Sequence, residues 1–390
     1  RGWAASLGRG EQRAAQDNMS PTRLYIAGTR EHAGKTTCSL AIISGLLKRR
    51  QRVGYLKPVG QRFQNIGGLY VDQDAALMKE YFMMHYDARA MAPVAVPPGY
   101  TRDYIDGRIT EQQQIDAILH ACNRVAEGND TVVIEGTGHT GVGSIINMNN
   151  ARVAQLLGAD MILVANGGLG SAFDELELNH TMCKEYGVNI RGIILNKVRP
   201  DKLQMVEHYF SKLLHRWGVP LLACIPDEQF LGQATLLQLE RLLGGELITG
   251  KRDGLRHYPF DRAQVVVTDL RRFNSTLEES DPRTLFLTHC SRDDIILGFI
   301  AHCHKLRAKE EHPEAALVLC GHHTEDFYRS VQDTVTAHDF PILTAPHTTQ
   351  HALRLLQNFV PKFTFTDTVR VKAAIQHYEP FIAFENLGAK

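Results

Sequence analysis

The residues best placed to do chemistry form a short run near the start of the chain, Gly28-Thr29-Arg30-Glu31-His32-Ala33-Gly34-Lys35-Thr36-Thr37. An apolar run, Leu24-Tyr25-Ile26-Ala27, precedes it, and a helical pattern from Cys38 to Leu47 follows it. Strand, glycine-bounded loop, Lys-Thr and helix, in that order, make a phosphate-binding loop. The backbone N–H groups of such a loop point at an anion, and the following helix adds its positive N-terminal end. Lys35 would then reach the terminal phosphates and the Thr36 hydroxyl would bind Mg²⁺; the alternative is a Gly-rich turn with a chance Lys-Thr. Five residues separate Gly28 from Gly34, so Thr29 stands where the first glycine of the commoner loop would be.

Four further positions lie at or near the ends of apolar runs, where open α/β sheets bind ligands. Lys57, in Lys57-Pro58-Val59, can face Lys35 across a γ-phosphate, or be a surface lysine. Glu135 ends a strand and opens Gly136-Thr137-Gly138-His139-Thr140-Gly141; a carboxylate there suits Mg²⁺. Asp74 can supply a second metal carboxylate, although Asp72 or Asp74 would equally serve as a helix N-cap. Asn196 can pair with a purine edge through its amide, or merely begin a turn.

The elements needed to position these groups are legible as alternating patterns. Strands are expected at 23–27, 53–59, 131–135, 161–165, 192–196 and 221–225. Helices are expected at 36–48, 74–86, 112–126, 149–157, 174–186, 201–216 and 233–243. Runs such as Val132-Val133-Ile134 are apolar on both faces, as in parallel strands buried on both sides. The expected fold class is therefore α/β, a doubly wound, mostly parallel sheet. A glycine- and charge-rich stretch over 246–262 reads as a linker. Beyond it a smaller α/β domain is expected over 263–390. Its strands are placed at 264–268, 284–288, 315–319 and 341–344, and its helices at 294–306, 325–337 and 350–359.

The chain has 390 residues, which fits two domains. Formal net charge is +0, so no overall field favours nucleic acid or an anionic membrane. No apolar stretch approaches a membrane span. The seven cysteines are scattered without a C-x-x-C pair, which points to a reducing cytoplasm rather than a disulfide framework. Residues 1–18, rich in Ala, Gly, Arg and Gln, read as a disordered leader, a cloning remnant, translated upstream sequence or a processed transit peptide. His302-Cys303-His304 and His322-His323 invite a metal reading, but no carboxylate–histidine framework completes one.

The long loop resembles that of dethiobiotin synthetase, which reads GTD-T-x-x-GKT. The likeness continues in chain order through Lys57-Pro58-Val59, Asp74-Ala75-Ala76-Leu77, Glu135-Gly136-Thr137-Gly138 and Asn196. It covers 23 to about 245, and the first domain is placed at 19–245. The resemblance implies ATP and Mg²⁺, with Thr29, Glu31, His32, Ala33, Gly34, Lys35, Thr36 and Thr37 around the nucleotide. It also implies metal at Thr36, Asp74 and Glu135, adenine near Asn196, Lys35 and Lys57 as the catalytic pair, and a homodimer. Two departures bear on substrate. Gly60-Gln61-Arg62 follows the KPV, and Ala92-Pro93-Val94-Ala95-Val96-Pro97-Pro98-Gly99-Tyr100-Thr101-Arg102 replaces the segment that holds the diamine.

That last segment, with Glu135 to Ser144, is similar to the N-terminal part of long bacterial phosphotransacetylases and their stand-alone relatives. Thr288 to Leu297 and Leu317-Val318-Leu319-Cys320-Gly321 resemble the DRTGG domain that follows in those proteins. Arg292 could hold an anion there or pair with Asp293 or Asp294. The resemblance implies a regulatory or accessory nucleotide-binding protein, with an effector or protein partner at the second domain and no acetyltransferase domain. The alternative is an ATP-dependent ligase of the synthetase type. A partitioning-type ATPase fits less well, because no lysine lies between Gly28 and Gly34.

Overall fold

A computed structural model describes residues 20–61, 63–66, 69–250, 257–258, 260, 262–279, 283–311, 314–322, 334–335 and 339–388. The chain divides into two compact units: unit 1 is formed by residues up to Glu228 together with Phe363–Lys390, and unit 2 by Gln229–Lys362.

Unit 1 is built on six strands: β1 (Thr22–Gly28), β2 (Val53–Leu56), β3 (Thr131–His139), β4 (Asp160–Asn166), β5 (Ile190–Val198) and β6 (Leu221–Pro226). They lie in the order β6-β5-β4-β1-β3-β2, and every pairing is parallel. Leu24 sits opposite Val133 on one side and Asp160 on the other. The crossovers are α1 (Lys35–Lys48), α2 (Gln73–Tyr81), α3 (Glu111–Ala126), α4 (Asn150–Leu157), α5 (Gly170–Glu185) and α6 (Leu203–His215). Leu24, Ile26, Val132, Val133, Ile134, Ile162 and Leu163 are all fully buried, which is why these strands read as continuous apolar runs. The chain runs outward from β1 to β2 and returns through β3. It then crosses β1 to reach β4, which puts the topological switch point, where such sheets bind ligands, beside β1.

Unit 2 holds α7 (Leu236–Leu243), β7 (Leu247–Thr249), β8 (Arg262–Val265), α8 (Leu270–Glu279), β9 (Thr284–His289), α9 (Asp293–Ala308), β10 (Ala316–Cys320), β11 (Ile342–Ala345) and α10 (Thr349–Gln357). Its sheet runs β7-β11-β10-β9-β8, parallel except for the antiparallel edge strand β7. Phe273, Phe286 and Phe299 centre one buried cluster, and Leu239, Leu285 and Val318 another.

The α/β class and the doubly wound parallel sheet stand as expected. Several boundaries do not. The first unit stops at 228 rather than 245, and its last segment, 363–390, returns to it after unit 2 instead of completing the second domain. The returning helix α11 (Thr368–Tyr378) packs on α1. The expected linker contains β7, whose Leu247 is 2% exposed. The expected helix over 74–86 ends at Tyr81, and Met83 takes a left-handed backbone. The expected leader over 1–18, and the helix over 325–337 apart from 334–335, lie outside the described residues. All seven cysteines are buried and unpaired. Among the described residues no helix is long and apolar enough to cross a membrane.

Candidate functional site

β1 delivers the loop and α1 receives it. Gly34 caps α1 in a left-handed conformation (φ 100°), and a Cβ there would come within 2.0 Å of the Asn196 Nδ2. Glycine is thus required twice over, for backbone and for space. Cys38 N donates to Gly34 O at 3.0 Å and starts the helix.

The loop is held from two sides. At its start Thr29 N donates to Val164 O on β4 at 2.9 Å, and Thr29 Oγ1 donates to Glu175 Oε2 at 3.2 Å. Arg30 pairs with the other Glu175 oxygen at 3.3 Å. Asn179, one turn along α5, donates to Thr29 O at 3.3 Å and accepts from Thr140 N at 3.0 Å, linking the loop to the end of β3. At its other half, the end of β5 supplies the contacts. Asn196 Nδ2 donates to Ala33 O at 2.8 Å, and Lys197 Nζ donates to His32 O at 3.0 Å. In a trans peptide the C=O and N–H point oppositely. With both carbonyls drawn toward β5, the N–H groups of Ala33 and Gly34 point away from it. Glu31 and His32 are exposed, whereas Thr29, Ala33 and Thr37 are buried.

Beside the loop a charged cluster is almost wholly enclosed: Lys57 is 5% exposed, Asp74 7% and Glu135 1%. Lys57 Nζ contacts Asp74 Oδ2 closely and lies 3.4 Å from Glu135 Oε1. The Thr36 hydroxyl donates to Glu135 Oε1 at 2.8 Å and lies 3.4 Å from Asp74 Oδ1. Tyr55 donates to the remaining Glu135 oxygen at 3.2 Å. Asp72 caps α2, accepting from Asp74 N at 3.0 Å and Ala75 N at 3.1 Å. Burial pushes the Asp72 carboxyl up to about 6, against the pull of the Lys57 ammonium. Burial also works to neutralise Lys57, but Asp74, Glu135 and Asp72 more than reverse it, so its pKa is raised and it stays charged.

Three oxygen donors, Thr36 Oγ1, Asp74 and Glu135, therefore converge on one spot already occupied by a cationic nitrogen. Oxygens in such an arrangement suit a hard divalent cation. Among the described residues no group of three or more His, Cys, Asp and Glu side chains is arranged to hold a metal, so a cation here would depend on the Thr36 hydroxyl and phosphate oxygens.

The residues singled out in the sequence come together with one qualification. Lys57, which could have been a surface lysine, is buried against Asp74 and Glu135. Capping falls to Asp72, leaving Asp74 for the cluster. Asn196 is fully buried, and its amide is engaged by Ala33 O and by Lys197 N, with 2.9 Å to the latter. In this arrangement it supports the loop and presents no open amide edge to a base. Residues 94–95, inside the divergent segment, pair with 59–60, and Lys57 N donates to Met91 O at 2.7 Å, so that segment runs beside the Lys57 strand. Glu175, Asn179 and Lys197 escaped the sequence reading. Their contacts with the loop span 145 to 165 positions and no local pattern marks them.

In unit 2, Arg292 makes a bidentate pair with Asp294 at 2.8 Å and donates to Thr268 O at 2.7 Å. Its guanidinium is therefore committed to the ion pair, the second of its two expected roles. His304 stacks edge-on against Phe340, and His302 is half-buried, with burial lowering its pKa.

The AAA_26 family, described as an AAA domain, matches residues 22–235, from β1 to the start of α7. A phosphate acetyltransferase of Synechocystis sp. is 24% identical over 383 residues, 93% of this chain and 51% of its own length. That of Nitrosomonas europaea is 25% identical over 76% of this chain and 41% of its own length. The chain thus spans about half the length of these curated relatives or less. The ATP-dependent dethiobiotin synthetase BioD of Xanthomonas oryzae pv. oryzae is 24% identical over 57% of this chain and 100% of its own length. With a glycine-capped Lys-Thr loop at the switch point of a parallel sheet, and with that match over more than half its length, the chain belongs to the AAA_26 family of P-loop domains related to dethiobiotin synthetase and phosphate acetyltransferase.

Proposed function

We propose that unit 1 binds ATP with Mg²⁺ and that the protein acts as a regulatory or accessory nucleotide-binding protein. One observation carries the reading: the Thr36 hydroxyl at the head of α1 lies within 3.4 Å of both Asp74 and Glu135, the two carboxylates that Lys57 also faces. The α1 N-terminus and the outward N–H groups of Ala33 and Gly34 would hold phosphate oxygens. Thr36, Asp74 and Glu135 would hold Mg²⁺, which when bound neutralises charge on the phosphates. Lys35 would pair with the terminal phosphates, and Lys57, released from Asp74 and Glu135, would turn to the γ-phosphate. Thr29, Glu31, His32, Ala33 and Thr37 would line the nucleotide, with Asn196 acting through the loop backbone.

A homodimer or larger homo-oligomer, cytoplasmic location, and a DRTGG-like unit 2 that takes an effector or partner belong to the same proposal. A second reading, an ATP-dependent ligase of the dethiobiotin synthetase type, is favoured by the match along the full length of the Xanthomonas enzyme. It is disfavoured by the divergent 92–102 segment beside Lys57.

ATP hydrolysis with Mg²⁺, with and without diaminopelargonate and bicarbonate, separates the two. The regulatory reading expects ATP binding with negligible turnover in every mixture. Diamine-stimulated release of ADP, in step with product, would establish the ligase instead.

A further inference from the structure

The family match ends at residue 235, yet unit 1 is not complete without the last part of the chain. Phe363 opens that part, and Arg370, fully buried, pairs with Asp367 at 2.7 Å and lies 4.7 Å over the Phe363 ring. α11 then runs along α1. Past its end, Glu379 accepts from Ser44 Oγ at 3.2 Å and Lys48 Nζ at 2.7 Å. The Phe384 ring fills a notch left by Gly45, where an added Cβ would come within 2.0 Å of it, and Arg49 covers the same ring at 4.0 Å. Ala383 N donates to Leu222 O on β6 at 2.9 Å, and His377 Nε2 lies 2.9 Å from Pro226 O.

At the centre of this layer sits Tyr378, 4% exposed. Its hydroxyl lies 3.9 Å from where a Cβ on Gly34 would be, a point 2.0 Å from the Asn196 Nδ2, so the phenol backs the notch that the Asn196 amide fills. Asn196 in turn grips Ala33 O. The tyrosine therefore stands on the carbonyl side of the loop, behind the residues that would face phosphate. Burial raises its pKa, so the hydroxyl stays protonated.

We propose that Tyr378 is a positioning residue of the nucleotide site: it fixes the Asn196 amide, which fixes the Ala33–Gly34 backbone, so that the 363–388 segment is part of the phosphate-binding device. This rests on the nucleotide reading above for its functional consequence, but not for its structural content.

Tyr378→Phe keeps the ring and removes the hydroxyl. The probes are Mg·ATP, Mg·tripolyphosphate (which has no base) and amide hydrogen exchange of residues 28–37 in nucleotide-free protein. Losing the buried hydroxyl that backs the Asn196 amide should weaken both ligands about five- to tenfold, in the same proportion. It should speed exchange in the loop while moving Tm by less than ~3 °C. Asn196→Ala should do the same, and the double variant should be no weaker than the worse single one, because both act through one path. Unchanged exchange and unchanged tripolyphosphate affinity in Tyr378→Phe would overturn the proposal. So would multiplicative effects in the double variant, or an Asn196→Ala loss confined to ATP, which would make Asn196 a reader of the base. If the wild-type protein binds neither ligand, the nucleotide reading fails, and loop exchange still decides the role of Tyr378.

Discussion

At the scale of single residues, the charge balance around Lys57 governs the site. One buried ammonium faces Asp74 and Glu135 directly, with Asp72 nearby. Removing one partner of a buried ion pair costs about 3–5 kcal/mol, since the other charge is left uncompensated. Lys57→Met should therefore lower the stability of nucleotide-free protein by about that amount. Millimolar Mg²⁺ should recover part of it, because a cation can then enter between the carboxylates; scanning calorimetry with and without Mg²⁺ checks both points. Wild-type protein without nucleotide should show little response to the metal. Gly34→Ala should abolish nucleotide binding in equilibrium dialysis, because the left-handed backbone and the Asn196 amide both exclude a side chain. Lys35, Thr36, Lys57, Asp74 and Glu135 could be singled out in the sequence because their residue types, at strand ends and helix starts, suit phosphate and metal chemistry. The supporting shell could not. Glu175, Asn179, Lys197 and Tyr378 are ordinary helix and strand residues until the fold brings them to the loop.

At the scale of elements, the last segment behaves as a layer of unit 1. Arg370 has no exposed surface and neutralises Asp367 beneath the Phe363 ring. Arg370→Leu should destabilise unit 1 by about 3–5 kcal/mol, visible as a lower denaturant midpoint in the transition that nucleotide shifts. The parallel strands of both units were readable because burial on both faces makes them short, continuous apolar runs. Elements without that signature escaped. β7 has three residues, and the antiparallel strands 63–66 and 69–72 are short. α8 buries only Phe273 and Leu277. The sequence reading places no helix over 368–378 and keeps 363–390 with its neighbours in the second domain, because nothing local says that α11 packs on α1. An amphipathic face specifies burial, not the partner.

At the scale of the molecule, the chain leaves unit 1 after β6, builds unit 2, and returns to unit 1 with α11. A ligand that binds only one folded unit stabilises that unit by mass action, about 2.7 kcal/mol at a hundredfold excess over Kd. Thermal unfolding should accordingly show two transitions, with Mg·ATP raising only the one that belongs to unit 1; domain-resolved hydrogen exchange assigns them. The most direct test of the account is a titration of the full chain with Mg·ATP, run beside Lys35→Ala and paired with measured ADP release. Saturable binding by the wild type, lost by at least tenfold in Lys35→Ala and accompanied by negligible turnover, is the predicted result. No binding by the wild type, or equal binding by both proteins, would contradict it.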